Sequence, residues 1–361
     1  VHQHTDVTNK LSRKKMEIYV MKKKFVLTLA LVLMVAASLM AATPLEVSGS
    51  FKAGYDFTFA GGSTIDAAND YKATINASVA GDFWKVTIAN NEALRFGEKK
   101  DSFYNMKAEI YLTKALAEQG MDMGDLGLTL HVGTGVGKDA LTVLANKADF
   151  RKDKQLQMAS AKNFGVTVDY GTLLKGYVSV DPTVAALPMV ASVKFMPVDG
   201  IEAAVGFSNN FTETKTPITN AKGLAVSAKA DVAKLVELDF ALAATAEFLM
   251  DLDASKNTIT ADVAGEYEGI GLWVAYQKDY ANVNKLAAKA SYATKVEDFD
   301  LSASFQAKMN DLAKVADKTK TEYTIAAGAT YAMGGATYAL DAEYTVNAAS
   351  FTLTPSVSIS F

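Results

Sequence analysis

Ser350-Phe351-Thr352-Leu353-Thr354-Pro355-Ser356-Val357-Ser358-Ile359-Ser360-Phe361 is the stretch that decides the fold. In an extended chain successive side chains leave opposite faces. Phe351, Leu353, Pro355, Val357, Ile359 and Phe361 therefore share one side, and the serines and threonines share the other. No charge interrupts the pattern. At about 3.3 Å per residue and a tilt of about 40°, the rise from Phe351 to Phe361 covers roughly 25 Å of height, the apolar band of a membrane barrel. A strand of this kind can cross a bilayer.

A closing strand that ends on Val357, Ile359 and the terminal aromatic Phe361 resembles the C-terminal insertion signal of bacterial outer-membrane β-barrel proteins. The resemblance implies export to the bacterial outer membrane, recognition of this strand by the barrel-insertion machinery, and outer-membrane lipid around the wall. It covers one strand, so the remaining chain has to carry the same reading on its own residues.

Half of the 361 residues are apolar, yet past the first 42 no run of about 18 apolar residues occurs, which excludes a helical membrane protein. Cysteine is absent, and with it disulfides, thiolate metal sites and a cysteine nucleophile. Residues 21–42 have the order of a secretory signal peptide: Met21 with Lys22, Lys23 and Lys24, an apolar stretch over 25–35, then Ala36, Ala37, Ser38, Ala41 and Ala42. Residues 1–20 read as an upstream extension, and the barrel is expected over 43–361. That span holds 29 basic against 38 acidic residues, a formal charge of −9, which argues against a nucleic-acid partner.

The alternation starts early: Val47, Phe51, Tyr55, Phe57 and Phe59 on one side, Glu46, Ser48, Lys52 and Asp56 on the other. It recurs over 104–112, 126–132, 164–170, 174–180, 189–195 and 201–207, and in longer spans from 224 to 346. About eighteen strands (16–18) are expected, an even number as in single-chain bacterial barrels, with no plug domain before the first. Long and short connections alternate, the long ones outside if the first strand runs outward. Two features fit poorly. Residues 114–125 are a long segment on the short-turn side, where a short helix or a miscounted strand is expected, and Pro355 removes a ladder hydrogen bond from a strand that must pair on both sides. Tyr323 with Tyr331, and Tyr338 with Tyr344, are placed to mark the two membrane interfaces.

In lipid every backbone group must be paired, so the sheet closes with its apolar face outward, and the other parity faces the lumen. The expected pore-lining residues are Lys52, Asp56, Lys107, Glu109, Asp239, Glu247, Asp262, Glu266, Asp341 and Glu343, with small residues such as Ala287 and Ala326 keeping the passage open. At this strand number an aqueous channel remains. Residues 134–163 form the longest loop. In general porins, which this arrangement resembles, the loop at that position narrows the pore; Lys138, Lys147, Arg151, Lys152 and Lys154 are thus expected to form a constriction facing an acidic wall. The function expected is passive diffusion of small hydrophilic solutes and ions through an outer-membrane pore, with a weak cation preference, no cofactor and no metal, as a monomer or a homo-oligomer.

Two other readings compete. A structural or adhesive surface barrel would share the fold, and a barrel protease could use His131, the single histidine after residue 42. The glycine-rich turn over 133–138 departs from nucleotide-binding motifs, because Lys138 takes the third glycine position and Asp139 the place of Ser or Thr. Asp251, Asp253, Ser255 and Asn257 have calcium-loop spacing, but Lys256 replaces the required glycine. Tyr111 and Tyr177 are almost the only aromatics that parity places inward, which weighs against a sugar channel with an aromatic track.

Overall fold

The computed structural model describes residues 46–60, 64–69, 72–90, 104–133, 156–158, 163–213, 221–317 and 319–361; the expected leader and most of the 134–163 segment lie outside these. Twenty strands form one sheet that closes on itself. The first ten are β1 (Glu46–Ala60), β2 (Thr64–Asn69), β3 (Lys72–Gly81), β4 (Trp84–Asn90), β5 (Tyr104–Tyr111), β6 (Leu126–Gly133), β7 (Leu156–Met158), β8 (Asn163–Tyr170), β9 (Leu174–Val180) and β10 (Met189–Phe195). The next five are β11 (Ile201–Glu213), β12 (Ala221–Asp231), β13 (Ala241–Asp251), β14 (Lys256–Tyr267) and β15 (Ile270–Lys278). The last five are β16 (Asn284–Val296), β17 (Phe299–Met309), β18 (Thr321–Met333), β19 (Ala336–Thr345) and β20 (Ser350–Ser360).

β2 and β3 pair with the outer and inner halves of β1, so together they fill one place in the wall. The connection that follows β1 is thereby itself partly strand. β7 pairs only with the outer tip of β11, Met158 opposite Phe211. Eighteen antiparallel wall positions remain, the number expected. Residues 114–125 do not hide a further strand: a short helix, Leu112–Ala117, and a turn fill the connection between β5 and β6.

β20 closes the ring between β19 and β1, and the pairing runs to the last residue. Gly49 N donates to Phe361 O at 2.8 Å, and Phe361 N donates to Gly49 O at 3.0 Å. No edge is left at the seam, as a wall in hydrocarbon requires. Pro355 has the cost expected of it. The β1–β20 ladder lapses between Gly54↔Ser356 and Phe57↔Leu353, and across the gap the Thr354 hydroxyl donates to Asp56 Oδ1 at 2.7 Å. Tight inner turns hold the register. Gly269 has φ +80, and a Cβ there would sit 2.2 Å from Ala293 O, while Gly334 and Gly335 both have positive φ, the geometry of a two-residue hairpin.

Cross-strand register keeps each parity class together. Val205, Val226, Phe248 and Ile259 face one another in a row, and this class carries the exposed large apolar side chains, Leu272 at 58 % and Val263 at 50 % among them. Aromatics form two belts on that face. Phe305, Tyr344, Phe351 and Phe59 lie along one row, and Phe299, Tyr331 and Tyr338 along another. Phe299 stacks on Tyr331 with centroids 5.0 Å apart. Tyr323 and Tyr331 are about 26 Å apart along β18, roughly 20 Å in height, which matches girdles at two interfaces.

Eighteen strands about 4.8 Å apart, tilted about 40°, give a circumference of roughly 110 Å and a backbone diameter of about 35 Å. Facing layers of side chains bridge only about 10 Å. The interior therefore holds water, additional chain, or both.

Candidate functional site

The polar parity class forms the inner wall, and its burial divides it into arcs. On β8 to β12 nearly every inward position is buried: Gly165 and Thr167, Tyr177 and Ser179, Val190 and Ser192, Ala204, Gly206 and Ser208, then Ala221, Gly223, Ala225 and Ser227. Ser179 and Ser208 are 0 % exposed. Only the innermost row stays half-buried, and it is charged. Lys194 pairs with Glu202 at 3.1 Å and Lys175 with Asp169 at 3.9 Å. On β17 and β19, Asp300, Ser302, Asp341 and Glu343 are instead exposed to the interior. β10 and β18, at the middles of the two arcs, are eight places apart in the ring of eighteen, so the arcs are nearly opposite.

Small inward residues were expected to hold the passage open. Of those named, Ala287 on β16 is buried and Ala326 on β18 is half-buried, and the Gly, Ala and Ser positions of β8–β12 are buried as well. At the outer rim of this arc, β7 continues the sheet beside β11 and approaches β13. The segment between β6 and β8 is thus tied to a strand several places along the wall.

The expected lining residues fall as follows. Lys107 and Glu109 share the inner face of β5, with Nζ to Oε1 at 2.6 Å. Glu247 and Asp262 are on the inner faces of β13 and β14, where Asp262 is buried and accepts a hydrogen bond from the Thr245 hydroxyl. Glu266 is exposed toward the inner end of β14. Lys52 and Asp56 lie on β1 beside the seam, and Asp341 and Glu343 on the open arc. Asp239 sits in the inner connection before β13, at the rim, because that strand begins later than its pattern suggested. Lys138, Lys147, Arg151, Lys152 and Lys154 lie outside the described residues.

His131 is inward and braced on both sides. Its Nε2 is 2.8 Å from Thr167 Oγ1, and its Nδ1 is 3.3 Å from Glu109 Oε1. The order Thr, His, Glu mimics a nucleophile, base and orienting carboxylate, but Nδ1 makes no hydrogen bond at that angle, Thr167 is buried, and Glu109 already holds Lys107. The group ties β5, β6 and β8 together. Around Asp251 the calcium-like spacing serves a turn: its carboxylate accepts from Asp253 N at 2.9 Å and Ala254 N at 2.8 Å. No group of three or more metal-ligating side chains occurs among the described residues.

Sequence reading missed two features. Asp279, in the outer turn after β15, and Lys285, at the start of β16, form a buried ion pair of 3.0 Å, which alternation does not reveal because Asp279 lies past the strand. Trp273 is inward on β15, opposite Ala264 and Lys289; the even-numbered apolar set Ile270, Leu272, Val274 and Tyr276 already implied it. Tyr111 and Tyr177 are therefore joined by a third inward aromatic.

No protein-family model matches the chain, and no curated protein matches it in sequence. Solved structures do match in fold. The chain is similar to OccK2 (OpdF) of Pseudomonas aeruginosa, solved in complex with glucuronate, at 9 % identity over 88 % of this chain and 98 % of that one, with a TM-score of 0.52. It is similar to a BenF-like porin of Pseudomonas fluorescens Pf-5 at 9 % identity over the same shares, with a TM-score of 0.51. Pseudomonas aeruginosa OpdK, solved with vanillate, matches at 8 % identity, again over 88 % and 98 %, with a TM-score of 0.51. The likeness is one of fold, which the chain shares with these porin structures: a closed antiparallel β-barrel, here of eighteen wall positions.

Proposed function

We propose that the chain is a channel for passive diffusion of small hydrophilic solutes and ions across the outer membrane. The observation that carries this is a closed wall too wide for its own side chains to fill, with an acidic, water-exposed arc opposite a covered one. Solutes pass along Asp300, Asp341 and Glu343 on β17 and β19. The segment of residues 134–163, anchored through β7, supplies the cover, and its Lys138, Lys147, Arg151, Lys152 and Lys154 face the acidic arc across the passage. Such a transverse field sorts solutes by charge, and the net acidity of residues 43–361 favours cations weakly. The neighbours solved with glucuronate and vanillate support solutes of that size.

Residues 1–42 act as a leader in this reading, and Val357, Ile359 and Phe361, on the outward face of the closing strand, present the insertion signal. Purified protein refolded into a planar bilayer tests the pore. Discrete conductance steps with a reversal potential displaced toward cations are expected; a barrel that inserts and passes no current would be structural or adhesive instead.

A further inference from the structure

We infer that Trp273 is a stacking platform for a neutral, ring-shaped polyhydroxylated solute, a pyranose, within the channel proposed above, on which the inference rests. An indole is a costly residue to leave on a wetted wall, since its large apolar face gains most when covered. Trp273 is only partly buried, and the contact that supports it is with two alanines, Ala275 and Ala287, each 1 % exposed. Its cross-strand neighbour Ala264 and its strand neighbour Gly271 are small, and part of the side chain stays exposed. No aromatic partner stacks on it among the described residues.

Its height in the barrel adds a second observation. Further out along the inner face of β15 the wall is closed, with Ala275, Gln277 and Asp279 all buried, whereas Glu266, toward the inner end of the neighbouring strand, is exposed. Trp273 stands where the buried part of the wall gives way to the exposed part, so a solute moving along the exposed part meets the ring.

The surrounding charges select the ligand. Lys289 lies directly opposite Trp273 on β16 with Gln306 beyond it, and Asp262 and Glu266 lie diagonally on β14. Charges of both signs surround the indole, so no single ionic group meets a uniform partner, whereas a neutral ring with donor and acceptor hydroxyls can use both signs at once. Its C–H face fits the electron-rich face of the indole, and its hydroxyls find donors in Lys289 and Gln306 and an acceptor in Glu266.

The chain has two tryptophans, Trp273 and the buried Trp84, so intrinsic fluorescence reads the site. Titrating the refolded channel with glucose should give a saturable change in emission that is lost in Trp273→Phe, which keeps Trp84. In bilayers, glucose should produce brief blockades of ion current. Trp273→Ala should weaken them by about two- to tenfold, the scale of one aromatic contact, with potassium chloride conductance retained. Conductance that persists with no saturable glucose response, or an identical response in Trp273→Phe, overturns the platform and leaves the pore standing. Absence of conductance in the unaltered protein overturns the pore itself.

Discussion

The inner faces of β8–β12 and of β17–β19 are built by one rule, polar or small side chains on alternate residues, yet they end in different solvents. Ser179 and Ser208 on the first arc are fully buried, while Ser302 on the second is exposed to the interior. Serine suits both, because its hydroxyl can be satisfied by protein or by water. Parity sorts lipid from lumen, and something other than parity sorts dry lumen from wet.

The largest test of that difference removes the cover. Deleting residues 138–154 should raise single-channel conductance clearly and weaken charge selectivity, measured in planar bilayers; an unchanged conductance would show that some other part of the chain shields β8–β12. Next in size is accessibility. Because the chain lacks cysteine, Ser302→Cys should react readily with a charged thiol reagent in reconstituted protein, Ser179→Cys should stay unreactive, and Ser179→Cys in the deletion variant should become reactive. Equal rates at the two sites would erase the distinction between the arcs.

Packing gives a third contrast. Ala225→Leu forces extra volume into a filled wall and should cost about 1–3 kcal/mol in denaturant unfolding, whereas Ser302→Leu on the open arc should stay within about 0.5 kcal/mol. The smallest effect concerns charge. Asp341→Asn with Glu343→Gln should lower the cation to anion permeability ratio, read from the reversal potential in a salt gradient, with conductance little altered. A ratio that does not move would take the ion path away from β19.

Much of the wall was legible in the residues. The alternation at 350–361 identifies an outer and an inner face, and the register then obeys it across strands, as in the row Val205, Val226, Phe248, Ile259. The short helix Leu112–Ala117 absorbs the segment that fitted worst, so the strand number stands. Boundaries were less legible where turns borrow strand-like residues: β13 starts at Ala241, which leaves Asp239 at the rim. Trp273 was available to the same parity argument that placed its neighbours. The Asp279–Lys285 pair was not, since a buried ion pair joins groups brought together by a turn rather than by periodicity.

Sequence alone determined that this chain is a membrane barrel of about eighteen strands, because a two-residue period and a hydrocarbon solvent together leave a closed sheet as the only way to pair every backbone group. Only the tertiary structure decided which part of the lumen is open. That depends on where chain lies inside a cylinder far wider than its side chains can span, and side-chain alternation carries no information about the far wall.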